Sequence, residues 1–305
     1  MRFRITYTTR YAYEQLASDS RNELHLSPSD TPDQNRLDFR LQVTPPASIT
    51  EHRDDFGNLV HLVSVGEPHC ELTIVADSIV DRIELPPDRG PHTTFSEYLR
   101  DDMARTRQYG QFLGESRYVP FSPRLRRFFW SVRPSMEEDL TDYTERMISY
   151  VRDQFGYDRG TTHVHSTVDD ILSAGGGVCQ DFAHLNLGLL RLAGIPTRYV
   201  SGCVAPGFST RPNGPRVELA THAWIEVMLP GTGWTGFDPT YRSRITTHHI
   251  SFALGRDYSD VPPVCGSYKS SGGRQTMTFE LCVEQTNNPA LPTPTTPGYQ
   301  GIRNI

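Results

Sequence analysis

The sequence predicts an α+β protein: an N-terminal antiparallel β-sandwich, then a core in which a cysteine-bearing helix packs on an antiparallel sheet. Three observations predict this. Residues 1–86 form short runs that alternate polar and apolar side chains between turn clusters. After the Pro- and Gly-rich stretch 86–91 the apolar spacing becomes helical. Beyond the triple glycine Gly175, Gly176, Gly177, one long apolar helix is followed by strand patterns at 197–204, 221–228 and 234–238.

In the first part, the alternating runs 2–13, 37–43, 58–65 and 70–80 are separated by turn residues at 27–30, at Pro45 and Pro46, and at 54–58. The opening run reads as a strand and not as the apolar segment of a signal peptide. His25 lies in such a strand and reads as structural. The chain divides into a β-sandwich domain at 1–88, a helical connector at 89–155, a core at 156–285 and a flexible tail at 286–305, rich in Pro and Thr.

In the connector, residues 124–130 combine three arginines with aromatics, and in an acidic chain this reads as a solvated helix face. A second helix is expected to start at Ser135. Pro134 precedes it, Glu138 completes a capping box, and Leu140, Tyr143, Met147, Val151 and Phe155 form its buried stripe. Residues 166–170 read as a capped start to a short helix that ends at the glycines, with His163 and His165 upstream. Residues 206–215 and 242–264 read as loops. The run 277–284 is expected to add a strand to the core sheet.

The glycine turn delivers Cys179 to the start of a helix whose apolar stripe is Phe182, Leu185, Leu189 and Leu192, stopped by Gly194 and Pro196. Unpaired backbone N–H groups and the dipole at a helix start favour thiolate, the nucleophilic form. The plain alternative is a small buried cysteine after a turn. His222 lies eight positions before Pro230 and Asp238 eight after it. In a hairpin turning there, the two side chains share a face, subject to a register slip at the turn. A thiol, a base and a carboxylate to orient the base are what nucleophilic catalysis needs. His184 is a poorer base, because five residues along a helix place it about 140° around the axis from Cys179. Trp224 and Trp234, on the same hairpin, read either as the wall of an acceptor channel or as aromatic core.

Composition narrows the partners. A net charge of −6 argues against nucleic acid, and no run approaches the ~18 apolar residues of a membrane span. The five cysteines include no C-x-x-C pair and are odd in number, which reads as reduced and cytoplasmic. No cofactor loop is present: the triple glycine leads to Val178 and Cys179 and lacks a Gly-Lys-Ser/Thr ending. Cys179 with His184, or His248 with His249, lacks the second ligand pair of a zinc site, so no metal is expected. Lys269 is the sole lysine, which suits an enzyme that passes acyl groups to amines but equally follows from codon bias.

Residues 177–183 (Gly-Val-Cys-Gln-Asp-Phe-Ala), 222–224 (His-Ala-Trp) and 234–240 (Trp-Thr-Gly-Phe-Asp-Pro-Thr), in that order, resemble the core of the bacterial transglutaminase-like superfamily. Segments 11–28 and 255–263 resemble members of it that carry an N-terminal β-domain. The resemblance implies a papain-like core with Cys179 as nucleophile, His222 as base and Asp238 as orienting carboxylate. It implies a peptide or protein substrate and a thioester intermediate, resolved by water (peptidase or amidohydrolase) or by an amine (protein-glutamine transglutaminase or other acyl transferase). A catalytically idle protein-binding module is a third possibility. The chain lacks the extra C-terminal β-domains of animal transglutaminases and any calcium-site pattern, so calcium activation does not carry over.

Overall fold

A computed structural model describes residues 1–85, 90–208 and 221–291 of the chain. The domain junction expected at 88, residues 209–215 of the expected loop and the tail beyond 291 lie outside the described residues.

The class is α+β, as the sequence predicts. The first unit is a curled antiparallel sheet hung on β1 (Arg2–Leu24), a strand of 23 residues. β2 (Gln34–Thr44), β3 (Ser48–Arg53), β4 (Leu59–Val65) and β5 (His69–Arg82) follow. The first half of β1 pairs with β5, which carries β2, and its second half pairs with β4, which carries β3. A register shift between Ala12 and Ala17, and a left-handed Asp19 at φ 50°, divide the halves. Alternation does what it predicts: Phe3, Ile5 and Tyr7 of β1 are buried with Leu72, Ile74 and Val80 of β5.

The connector holds α1 (Phe95–Tyr98), α2 (Asp102–Tyr109), α3 (Pro123–Val132) and α4 (Leu140–Gln154). Arg124, Arg126 and Arg127 of α3 are exposed, as expected of a solvated face. α4 starts later than Ser135. The Asp139 carboxylate accepts from the Thr141 and Asp142 N–H groups, while Glu138 turns back to the Ser135 N–H at 3.2 Å and to Arg146 at 2.7 Å. The charged cap wins over the capping box. Its buried stripe is the predicted one, from Leu140 to Phe155.

A short parallel pair, β6 (Gly156–Tyr157) with β7 (Gly176–Gly177), brackets α5 (Val168–Ala174). Gly175 closes α5 at φ 74°, which favours glycine, and α6 (Cys179–Leu192) follows at once. The predicted bounds of α6 hold, but its burial is wider than one stripe. Every residue from Gln180 to Arg191 is buried, because α4 and α5 cover the faces that the sheet does not. Each fully buried Leu or Phe there contributes about 1.5–3 kcal/mol of transfer free energy.

The sheet beneath α6 comprises β8 (Thr197–Val204), β9 (Thr221–Leu229), β10 (Gly233–Asp238), β11 (Ser243–Arg244) and β12 (His249–Gly255), in the order β11-β10-β9-β8-β12. Thus 242–264, expected as a loop, supplies an edge strand. First-unit side chains cover that edge. Gln34 exchanges hydrogen bonds with the Ser251 backbone (3.0 and 2.8 Å) and Asn58 with the Leu254 backbone (2.8 and 2.7 Å). Ile250 and Phe252 on β12, with Cys203 on β8, are buried in the first unit's own core, so the two sheets share one apolar layer.

The last strands, β13 (Val264–Ser270) and β14 (Gln275–Gln285), return to β1. The expectation that 277–284 would extend the core sheet is therefore corrected, and the unit drawn at 156–285 ends in strands that belong to the first sheet. Leu281 and Val283 find their buried partners there, on the free side of β1. Among the described residues no helix is long and apolar enough to cross a membrane.

Candidate active site

Cys179 is the first residue of α6 and is partly accessible. Asp181, three residues past the cap, accepts from the Val178 N–H at 2.8 Å and from the Thr162 hydroxyl, which ties the glycine turn to the helix start. A Cβ on Gly177 would run into that carboxylate, so the turn needs glycine here. The thiol thus stands on a rigid corner.

The hairpin of β9 and β10 brings His222 and Asp238 to the same corner. Its register pairs Phe237 with Ile225, which sets Asp238 level with Trp224, two residues from His222 and on the same face. The slip is an even number of residues, so the shared face survives. His222 Nε2 lies 2.7 Å from Asp238 Oδ2, and the His222 side chain is also hydrogen-bonded to Cys179. With Nε2 committed to the carboxylate, Nδ1 is the nitrogen left for the thiol. The structure therefore brings all three predicted residues together.

Asp238 is fully buried and saturated. Its Oδ1 accepts from the Thr240 and Tyr241 N–H groups at 2.8 and 3.3 Å. Its Oδ2 accepts from His222 and, at 3.0 Å, from His249 Nε2. His249 Nδ1 accepts the Thr246 N–H at 3.1 Å, so the ring's own proton sits on Nε2 and His249 is a neutral donor to Asp238. Burial disfavours charge on His222, but Asp238 and Cys179 outweigh it and push the imidazole up to about 10. Burial likewise opposes charge on Asp238, and the two histidines overcome it, holding the carboxyl well below its usual range. His249 is pushed down, chiefly by burial, against the pull of Asp238.

Sequence reasoning weighed His249 only as a metal ligand beside His248 and missed its bond to Asp238. A signal was present: Ile250, Phe252 and Leu254 alternate with smaller residues and mark a strand beginning at His249.

Aromatic rings frame the site. Tyr241 stands 5.5 Å from the His222 ring, and Phe208 packs edge-on to both Tyr241 and His249. Trp224 is buried and packs edge-on to His249 at 5.4 Å, in space kept open by Gly202. Trp234 packs instead on Tyr109, Phe112 and Arg198. Trp224 is a core residue and Trp234, only partly buried, is taken up by Tyr109, Phe112 and Arg198, so neither is placed as a channel wall beside Cys179. His184 is fully buried between Tyr118 and Tyr199 and accepts the Tyr258 N–H at 3.2 Å, a packing role. His165 bonds the Tyr118 hydroxyl at 2.9 Å, and the ring of His163 accepts the His165 N–H.

Comparison with known proteins agrees with this architecture. Residues 3–81 match the family described as the bacterial transglutaminase-like N-terminal region, and residues 132–239 match the transglutaminase-like superfamily. The uncharacterized protein ML0607 of Mycobacterium leprae is 34% identical over 285 residues, covering 93% of this chain and 98% of its own length. A protein-glutamine gamma-glutamyltransferase of Pseudomonas aeruginosa is 38% identical over 79 residues, 25% of this chain and 12% of that protein. Among solved structures, a candidate cysteine protease of Cytophaga hutchinsonii has the same fold, with a TM-score of 0.70 at 23% identity, over 98% of this chain and 94% of that one.

Proposed function

We propose that this chain, which belongs to the transglutaminase-like superfamily, hydrolyses amide bonds in peptides or proteins through Cys179, His222 and Asp238. The observation that carries this reading is the bridging position of His222, 2.7 Å from Asp238 and hydrogen-bonded to Cys179.

His222, raised to about 10, already carries the proton on Nδ1 near neutral pH, so Cys179 Sγ attacks the carbonyl carbon as the thiolate of this pair while the carbonyl π electrons move to oxygen. The Cys179 backbone N–H, in the first turn of α6 and without an intrahelical partner, is available to that oxyanion. The C–N bond then breaks, His222 returns the proton to the leaving amine, and a thioester remains. Water attacks the thioester, His222 takes its proton, the C–S bond breaks and the carboxylic acid leaves; the proton stays on His222, which restores the imidazolium–thiolate pair. Asp238 holds His222 with Nε2–H toward itself and Nδ1 toward the sulfur, and it balances the imidazolium charge at rest and again when water attacks. We place the activity in the reducing cytoplasm, where the five unpaired cysteines persist.

Acyl transfer to an amine is the second reading, favoured by the name of the Pseudomonas relative. Water at ~55 M competes for any thioester, and transfer needs a channel that excludes it. Trp224 is buried and Trp234 packs on Tyr109, Phe112 and Arg198, so neither forms one, which supports hydrolysis. A glutamine-containing peptide offered with millimolar primary amine tests the choice. Release of ammonia or cleaved peptide should outpace amine adducts. Adducts outpacing release would make the protein a transferase, and binding without any turnover would make it a binding module.

A further inference from the structure

We infer that His249 is a positioning residue for the Cys179–His222 pair: as a neutral hydrogen-bond donor it fixes the Asp238 carboxylate and moderates its hold on His222. This rests on the reading above in taking Cys179 as the nucleophile and His222 as its base.

The geometry leaves His249 little freedom. Its ring is clamped edge-on by Trp224 at 5.4 Å and Phe208 at 5.0 Å, and it is fully buried. Its two nitrogens have opposite jobs, Nδ1 accepting from Thr246 and Nε2 donating to Asp238. The Thr246 turn is itself braced by the first sheet, where Arg82 of β5 donates to the Thr246 carbonyl at 3.3 Å while paired with Asp33 at 2.8 Å. A continuous set of contacts thus runs from β5 through Thr246 and His249 to Asp238. The charged groups around His249 are Asp238, His222 and Arg82. Two of the three are cationic or become so, which together with burial keeps His249 uncharged.

The chemical consequence follows from sharing one oxygen. Asp238 has two oxygens with room for about four donors, and all four places are taken. Rotation of the carboxylate would break at least one bond, so Oδ2 stays aimed at His222. Because His249 also draws on Oδ2, that oxygen is a weaker acceptor toward His222 than it would be alone, and His222 releases its proton to the leaving amine more readily. Loss of the His249 donor should therefore strengthen Oδ2 as an acceptor for the His222 imidazolium while removing one of the four bonds that hold the carboxylate against rotation.

The test needs no substrate. The rate of Cys179 alkylation by iodoacetamide, followed against pH, has an upper inflection where His222 loses its proton. His249→Phe fills the space without a donor, and His249→Gln restores an N–H near the Nε2 position. The upper inflection should move up by about 0.5 pH unit or more in His249→Phe and stay at the parent value in His249→Gln. With a substrate, kcat should fall about tenfold in His249→Phe at little-changed KM, and recover in His249→Gln. Parent-like profiles in both variants, or equal shifts in both, overturn the proposal. A parent profile unaffected by His222→Ala contradicts the Cys179–His222 pairing itself, and this proposal with it. Nitrogen NMR of the unmodified protein gives a second measure free of any folding defect. His249, pushed below its ordinary value, should be neutral with its proton on Nε2 between about pH 7 and 9. A charged ring or an Nδ1 proton in that range overturns it.

Discussion

Asp238 Oδ2 lies 2.7 Å from His222 Nε2 although the two residues are not cross-strand partners; they sit on one diagonal of the β9–β10 hairpin. Diagonal neighbours on one face remain within reach of long side chains, and here the diagonal joins an imidazole to a carboxylate. The arrangement is buried, so its protonation is tied to folding.

Stability should accordingly peak near neutral pH. His222 is raised from 6.5 to about 10 in the folded state, so its contribution is complete below about 6.5 and is lost as pH rises toward about 10. His61 is lowered from 6.5 to about 4 by burial, and His184 is lowered by the same cause. They favour the folded state fully above about 6.5 and cease to do so as pH falls toward about 4. Thermal midpoints should be highest near pH 6.5, with the alkaline decline blunted in His222→Gln and the acid decline blunted in His61→Gln. A midpoint that climbs steadily from pH 6.5 to 9 would contradict the ion pair.

Thiol labelling should be ordered by site and not by exposure. Cys70 and Cys265 are exposed and Cys179 is only partly so, yet Cys179 has the His222 imidazole hydrogen-bonded beside it. At about pH 6, iodoacetamide should modify Cys179 first, and His222→Ala should slow that reaction at least tenfold. Cys203 is buried and its thiol is pushed far up by burial, so it should label only after unfolding. Mass spectrometry of timed digests reads all five positions.

The cover on β12 should matter for stability. Asn58→Ala leaves the Leu254 N–H and carbonyl, now bonded at 2.8 and 2.7 Å, without their partners at a buried edge. The expected loss is about 1–3 kcal/mol in urea unfolding, and Gln34→Ala should act alike through Ser251. Losses below about 0.3 kcal/mol in both would show that the first unit does not support the second through this edge.

Much of the site was legible because its signals are local. The bounds of α6 follow from glycines before it and Gly194 and Pro196 after it, and the face shared by His222 and Asp238 follows from the two-residue period of strands. An even slip in register preserved that face. His249 was not legible, since its partner Asp238 is brought to it by the pairing of β12 with β8, far away in the chain. The placement of β14 failed for the same reason: alternation marks a strand but does not name its neighbour, and β1, long enough to hold partners on both sides, was the available one. At α4, two cap signals competed within five residues, and the charged Asp139 outdid Ser135.

The proposed hydrolysis requires a covalent intermediate at Cys179. The protein is mixed with a peptide library, quenched in acid within seconds and analysed by intact mass and digestion. An acyl fragment should appear on Cys179 and on no other cysteine, should vanish in Cys179→Ala at a stability cost within about 1 kcal/mol, and should accumulate far more slowly in Asp238→Asn. Turnover without any acyl group on Cys179, or turnover that persists in Cys179→Ala, would contradict the account.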